Sequence, residues 1–87
     1  MHHSEVIKLV EKFLDDPDSV AHLELWSAVH WPANAVSDAA CEAYWAACAA
    51  DDAGLAADYR DTDSTEYWIA KAKKHVDKYH ELTKGSN

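Results

Sequence analysis

Apolar positions recur at intervals of three and four along this chain, and short polar breaks separate the stretches that carry them. That interval marks one face of a helix. Val6, Leu9, Val10 and Phe13 form the first stripe, with Ile7 and Leu14 beside it, and predict a helix over residues 4–15. Ser4 suits its N-cap and Glu5 its first turn. Asp16-Pro17 ends it, because the residue before proline avoids the α region. Val20, Leu23, Trp26 and Val29 predict a second helix over 19–30, capped by Asp18 or Ser19 and stopped by Trp31-Pro32. A third helix is predicted over 35–59, entered at Asn34 or Ser37. Trp68 or Ile69, Ala72, Val76, Tyr79 and Leu82 predict a fourth over 63–83, where Asp63 and Glu66 have capping-box spacing. Strand-like alternation is absent. The expectation is an all-α fold, one domain over 1–87, built as a small bundle of about four helices.

The third segment differs from the others in what makes it helical. From Ala33 to Tyr59, 12 of 27 residues are alanine, the best helix former, and no proline interrupts them. Gly54 is a local weak point. On a 3.5-residue repeat, Val36, Ala40, Ala43, Ala47, Ala50, Gly54 and Ala57 fall on one seam of small residues. Cys41, Trp45, Cys48 and Leu55 lie largely opposite. Asp38, Glu42, Asp51, Asp52 and Asp58 take the remainder. A helix with two apolar sides belongs between neighbours. One side would face its own chain, the other a second copy or a target. Ala40, Ala43, Ala47, Ala50, Gly54 and Ala57 are therefore the candidate seam of a homodimer; the competing arrangement fills both sides from the same chain.

Charge narrows the range of partners. The net charge is −8, unevenly spread. Residues 33–66 carry one basic and eight acidic side chains, whereas residues 67–87 carry five lysines and two acids. This balance argues against direct nucleic-acid binding, which needs a basic footprint. It permits attachment to basic protein surfaces. Asp51, Asp52, Asp58, Asp61 and Asp63 are the candidate partner-binding residues. Carboxylates spaced along a rigid helix could also imitate DNA phosphates. No run of about 18 apolar residues suggests a membrane span, and a soluble intracellular chain is expected.

No residue pattern argues for catalysis, a metal or a cofactor. His22 and His30 are eight apart, and His75 and His80 are five apart, so neither pair has the i, i+4 spacing of a helical zinc motif. Cys41 and Cys48, seven apart, are too distant along a helix for a disulfide and read as reduced thiols. A cysteine in an alanine and tryptophan face is more often packing than nucleophile. The expectation is a non-enzyme. Trp26, Trp31, Tyr44, Trp45, Tyr59, Tyr67 and Trp68 raise an alternative, a nucleotide-binding sponge that stacks a base, with Arg60, Lys71, Lys73 and Lys74 for the phosphate.

Two short segments carry a resemblance. Asp16-Pro17-Asp18-Ser19-Val20 near the start, then Tyr67-Trp68-Ile69 and Tyr79-His80-Glu81-Leu82-Thr83 near the end, bracket the alanine-rich helix. The pattern resembles small alanine-rich proteins encoded by tailed bacteriophages. What the resemblance implies is a phage accessory protein in the host bacterial cytoplasm that binds a bacterial protein and inhibits or redirects it, as in host takeover or anti-defence. It brings no catalytic or ligand residues with it.

Overall fold

A computed structural model describes residues 2–29 and 37–84. The Trp31-Pro32 break, the Asn34 cap, His30, Trp31, Val36 and the chain end from Gly85 lie outside the described residues. The architecture is all-α: α1 (His3–Asp15), α2 (His22–Val29), α3 (Asp38–Asp58) and α4 (Thr62–Lys84), with a 3₁₀ turn over Pro17–Ser19 between α1 and α2.

The helix ends refine the expected boundaries. α1 starts at His3, so its N-cap is His2, whose Nδ1 accepts from the Ser4 N–H at 3.1 Å; Ser4 is inside the helix. Asp16 and Pro17 do stop α1, but the chain then spends three residues in the 3₁₀ turn. There the Asp16 carboxylate accepts from the Asp18 N–H and Ser19 Oγ donates to the Asp16 carbonyl. Asp18 and Ser19 are thus consumed by the turn, and α2 begins only at His22. Glu24 caps it from within, its carboxylate accepting from the Ala21 N–H at 3.2 Å. Ser37 caps α3 as expected, its Oγ accepting from the Ala40 N–H at 3.1 Å. For α4 the cap is Asp61, two residues before Asp63. One of its oxygens accepts from the Ser64 N–H and the other from the Ser64 hydroxyl. These two bonds hold the Asp61 carboxyl below its ordinary range.

The α3–α4 turn is a Schellman closure. The Arg60 N–H donates to the Ala57 carbonyl and the Asp61 N–H to the Ala56 carbonyl. This places Arg60 in the left-handed region, with φ 58°, a position that favours glycine. The reversal is tight enough to lay α4 back along α3, and this pair forms the largest interface in the molecule. The hairpin sets the longest dimension, 41 Å against 22 and 18 Å.

α3 takes part in the three largest helix interfaces, with α4, α1 and α2. All seven of its buried residues are alanine. Small residues let the partner backbones come close, so α3 serves as the axis of the bundle. Bulk comes from elsewhere: Ile7, Val10 and Leu25 are the largest fully buried side chains. Val6, Phe13, Val20, Val76 and Tyr79 complete the core, with Leu9, Leu14, Trp68 and Ile69 packed at its edge. The face of α2 differs from the expected stripe. Leu25 and Ala28 are buried while Leu23 and Trp26 are exposed: Val20 lies outside the helix as the cap of the 3₁₀ turn, and packing on α3 turns the neighbouring Leu25–Ala28 face inward.

Candidate interaction surface

The outer side of α3 is assembled by the same helical geometry that buries its alanines. Residues 41, 45, 48, 52, 55 and 59 repeat at steps of three and four on the side away from the core. Trp45, Leu55 and Tyr59 are exposed there, as is Tyr44 beside them, with Cys41, Cys48 and Asp52 half-buried between. Tyr59 is 83% exposed, far from the state of a core aromatic. Tyr44 and Trp45 meet edge to face, with ring centroids 5.6 Å apart. α3 carries five carboxylates and neither lysine nor arginine. The result is an aromatic ridge about 27 Å long at the rise of an α-helix, set in negative charge.

The five acids proposed from the sequence do not share one face. Asp52 and Asp58 are on α3, half-buried and exposed respectively. Asp51 turns toward α2, where its Oδ1 lies 3.2 Å from His22 Nδ1 and its side chain is only 13% exposed. Asp61 is occupied as the cap of α4, and Asp63 is exposed in the first turn of that helix. Of the five, Asp52 alone lies on the ridge; Asp58 is exposed on the side of α3 that Asp51 shares, and Asp51 has a structural task.

The small-residue seam is placed inside the molecule. Ala40, Ala43, Ala47 and Ala50 are buried by helices of the same chain, three of them to 1% or less. Gly54 is half-buried and Ala57 exposed. A second copy could reach the first four only by opening the bundle. Ala46, Ala49 and Ala53 widen the same buried face, since close approach by more than one neighbour needs a broader small surface than a single seam.

Three histidine–carboxylate pairs join different helices. His75 Nδ1 donates to Glu42 Oε2 at 2.7 Å across α3–α4. His80 Nε2 donates to Glu11 Oε2 at 3.2 Å across α1–α4. His22 and Asp51 link α2 to α3. A fourth histidine, His3 on α1, has Nδ1 2.9 Å from the Tyr79 hydroxyl of α4. Burial, then the neighbouring His2, lowers the His3 pKa from its ordinary 6.5. No sequence signal announces these pairs, because their members are far apart along the chain. They use histidines as helix ties, and among the described residues no three metal-binding side chains converge.

Cys48 occupies a poor setting for nucleophilic chemistry. Burial pushes the Cys48 thiol up, and the neighbouring Asp52 and Asp51 add to it, outweighing the hydrogen bond with Tyr44. A thiol held protonated is a weak nucleophile.

The fold and its surface define a class: an all-α bundle whose alanine-rich central helix buries one face and displays an acidic, aromatic one. Comparison of the chain with protein-family models, curated proteins and solved structures gives no match. Among the described residues no helix is long and apolar enough to cross a membrane.

Proposed function

We infer that this chain is a non-catalytic binding protein, made by a bacteriophage, that acts in the host bacterial cytoplasm by attaching to a bacterial protein and inhibiting or redirecting it. One observation carries the binding reading: Trp45, Leu55 and Tyr59 face solvent along a helix that has five carboxylates and neither lysine nor arginine. Exposed aromatics cost solubility unless a partner uses them, and Trp and Tyr are the residues that anchor protein interfaces. Their acidic setting selects a basic partner surface and steers its approach. The phage setting rests on the resemblance of the two end segments.

The DNA-mimic form of this reading draws less support, because Glu42 and Asp51 are tied to His75 and His22 and leave gaps in the row of free carboxylates. The self-association form draws less as well, since most of the small seam is used within the chain.

The test is capture of partners from a bacterial lysate with the wild-type chain and with a Trp45→Ser, Asp52→Lys double variant, read by mass spectrometry. The wild-type chain is expected to retain a protein that the variant loses. Identical captured sets would sink the assignment of the surface. Thermal-shift screening against cyclic nucleotides checks the sponge alternative; a saturable rise in melting temperature would replace the present reading.

A further inference from the structure

We propose that the cleft between the 3₁₀ turn, the start of α2 and the last two turns of α3 is a pocket for one arginine or lysine side chain of the partner protein. This rests on the binding reading above and adds a contact on the side of α3 away from the ridge. The cleft encloses about 320 Å³. That is at the small end of ligand-site volumes, too little for a whole cofactor and ample for one long side chain. Its floor is apolar, made by Phe13, Val20 and Leu25, all nearly fully buried. Asp18 and Asp58, both exposed, stand among its lining residues, and no lysine or arginine does. An aliphatic stem on the floor and a cation near the carboxylates satisfy both parts. A phosphate-bearing ligand would meet Asp18 and Asp58 there, with His22 the one basic side chain in the lining and already placed against Asp51.

Gly54 lies in the wall of this cleft. It has no positive φ, and a Cβ added there meets nothing within 4 Å. Neither backbone conformation nor packing requires glycine. In the middle of a helix it is less favourable than alanine. What it provides is room: the wall recedes where the stem of a guest side chain would lie. The cleft exists because Ala53, Gly54 and Ala57 are too small to fill the gap between the 3₁₀ turn and α4.

The test is an NMR titration of the full chain with Nα-acetyl-arginine N-methylamide, and with the neutral citrulline analogue as control. The arginine probe is expected to shift amides around residues 13–25 and 53–58 saturably, and the citrulline probe to bind about tenfold more weakly or worse. Gly54→Leu fills the cleft from a helical position that accepts it, and should abolish the shifts while the circular dichroism stays native. The Asp18→Asn, Asp58→Asn pair keeps the shape and should weaken the arginine probe to the level of citrulline. Equal binding of both probes, unchanged affinity in Gly54→Leu, or no saturable shift would each overturn the pocket. Its failure is separable from failure of the binding reading. A partner lost by the Trp45 variant but kept by Gly54→Leu leaves the aromatic ridge standing without the pocket. Saturable arginine binding with no captured partner leaves the pocket without the broader function.

Discussion

α3 and α4 are the two arms of one hairpin, nearly equal in length, and they divide their residues in opposite ways. α3 puts only alanine inward and keeps its large side chains, Trp45, Leu55 and Tyr44, on the outside. α4 puts Val76 and Tyr79 inward with Ala72, and carries its lysines outside. Both are helices, but only α4 sends large side chains into the core, although its Tyr67 and Leu82 stay exposed. The difference shows what an axial helix gives up. Its neighbours approach from several sides, so its inner face must be small, and any large residue it carries is left facing out. A large residue retained on such a face adds little to folding, which is why the outer side of α3 invites a binding role.

The comparison can be broken most directly at Tyr79. Tyr79→Ala should cost about 3 kcal/mol in urea denaturation, as for other buried aromatics, whereas Tyr79→Phe should cost only about 1 kcal/mol for the lost contact with His3. The next test enlarges the inner face of α3. Ala47→Leu adds volume where exposure is nil, and should destabilise by about 1–3 kcal/mol through overpacking against its neighbours. A neutral result there would mean that α3 is not closely packed. At the turn between the arms, Arg60→Gly removes a left-handed strain and should raise stability by about 0.5–1 kcal/mol in the same measurement. On the outer face of α3, Trp45→Ser should leave stability within about 0.5 kcal/mol. A larger loss would place Trp45 in the fold and remove it from the partner surface.

The smallest expected effect is electrostatic and lies at the contact between α1 and α4. Burial lowers the His3 pKa from its ordinary 6.5, so the unfolded chain binds this proton more readily than the folded one. His3 therefore supports stability above about pH 6.5, and that support fades as pH falls through its lower folded value. Comparing His3→Gln with wild type between neutral and mildly acidic pH isolates the term from the three histidine–carboxylate ties, which both proteins share. The wild type should lose more stability on acidification; parallel curves would refute it.

Much of the fold was legible because helices are written locally. The alanine run, the Asp16-Pro17 stop and Ser37 each act over a few residues, and the structure uses all three. The acidic, aromatic side of α3 was legible as well, since a helical repeat places residues 41 to 59 without knowledge of neighbours. The start of α2 was not. Asp18 and Ser19 have good capping chemistry, but Pro17 draws them into a 3₁₀ turn, and which face of α2 turns inward is set by its packing on α3. Nor were the histidine ties legible: His75 and Glu42 meet only once α4 folds back on α3.

Helix content, acidity and the outward face of α3 thus follow from short-range chain chemistry, where propensity and a 3.6-residue period suffice. Which small surface is interior, which acids remain free, and where a cleft opens beside Gly54 depended on how the helices pack. Each of these is a relation between residues distant in sequence. The alanine seam could equally have met a second copy; the tight Arg60 turn instead lays α4 along α3, α1 and α2 pack on the same helix, and the seam is covered from within.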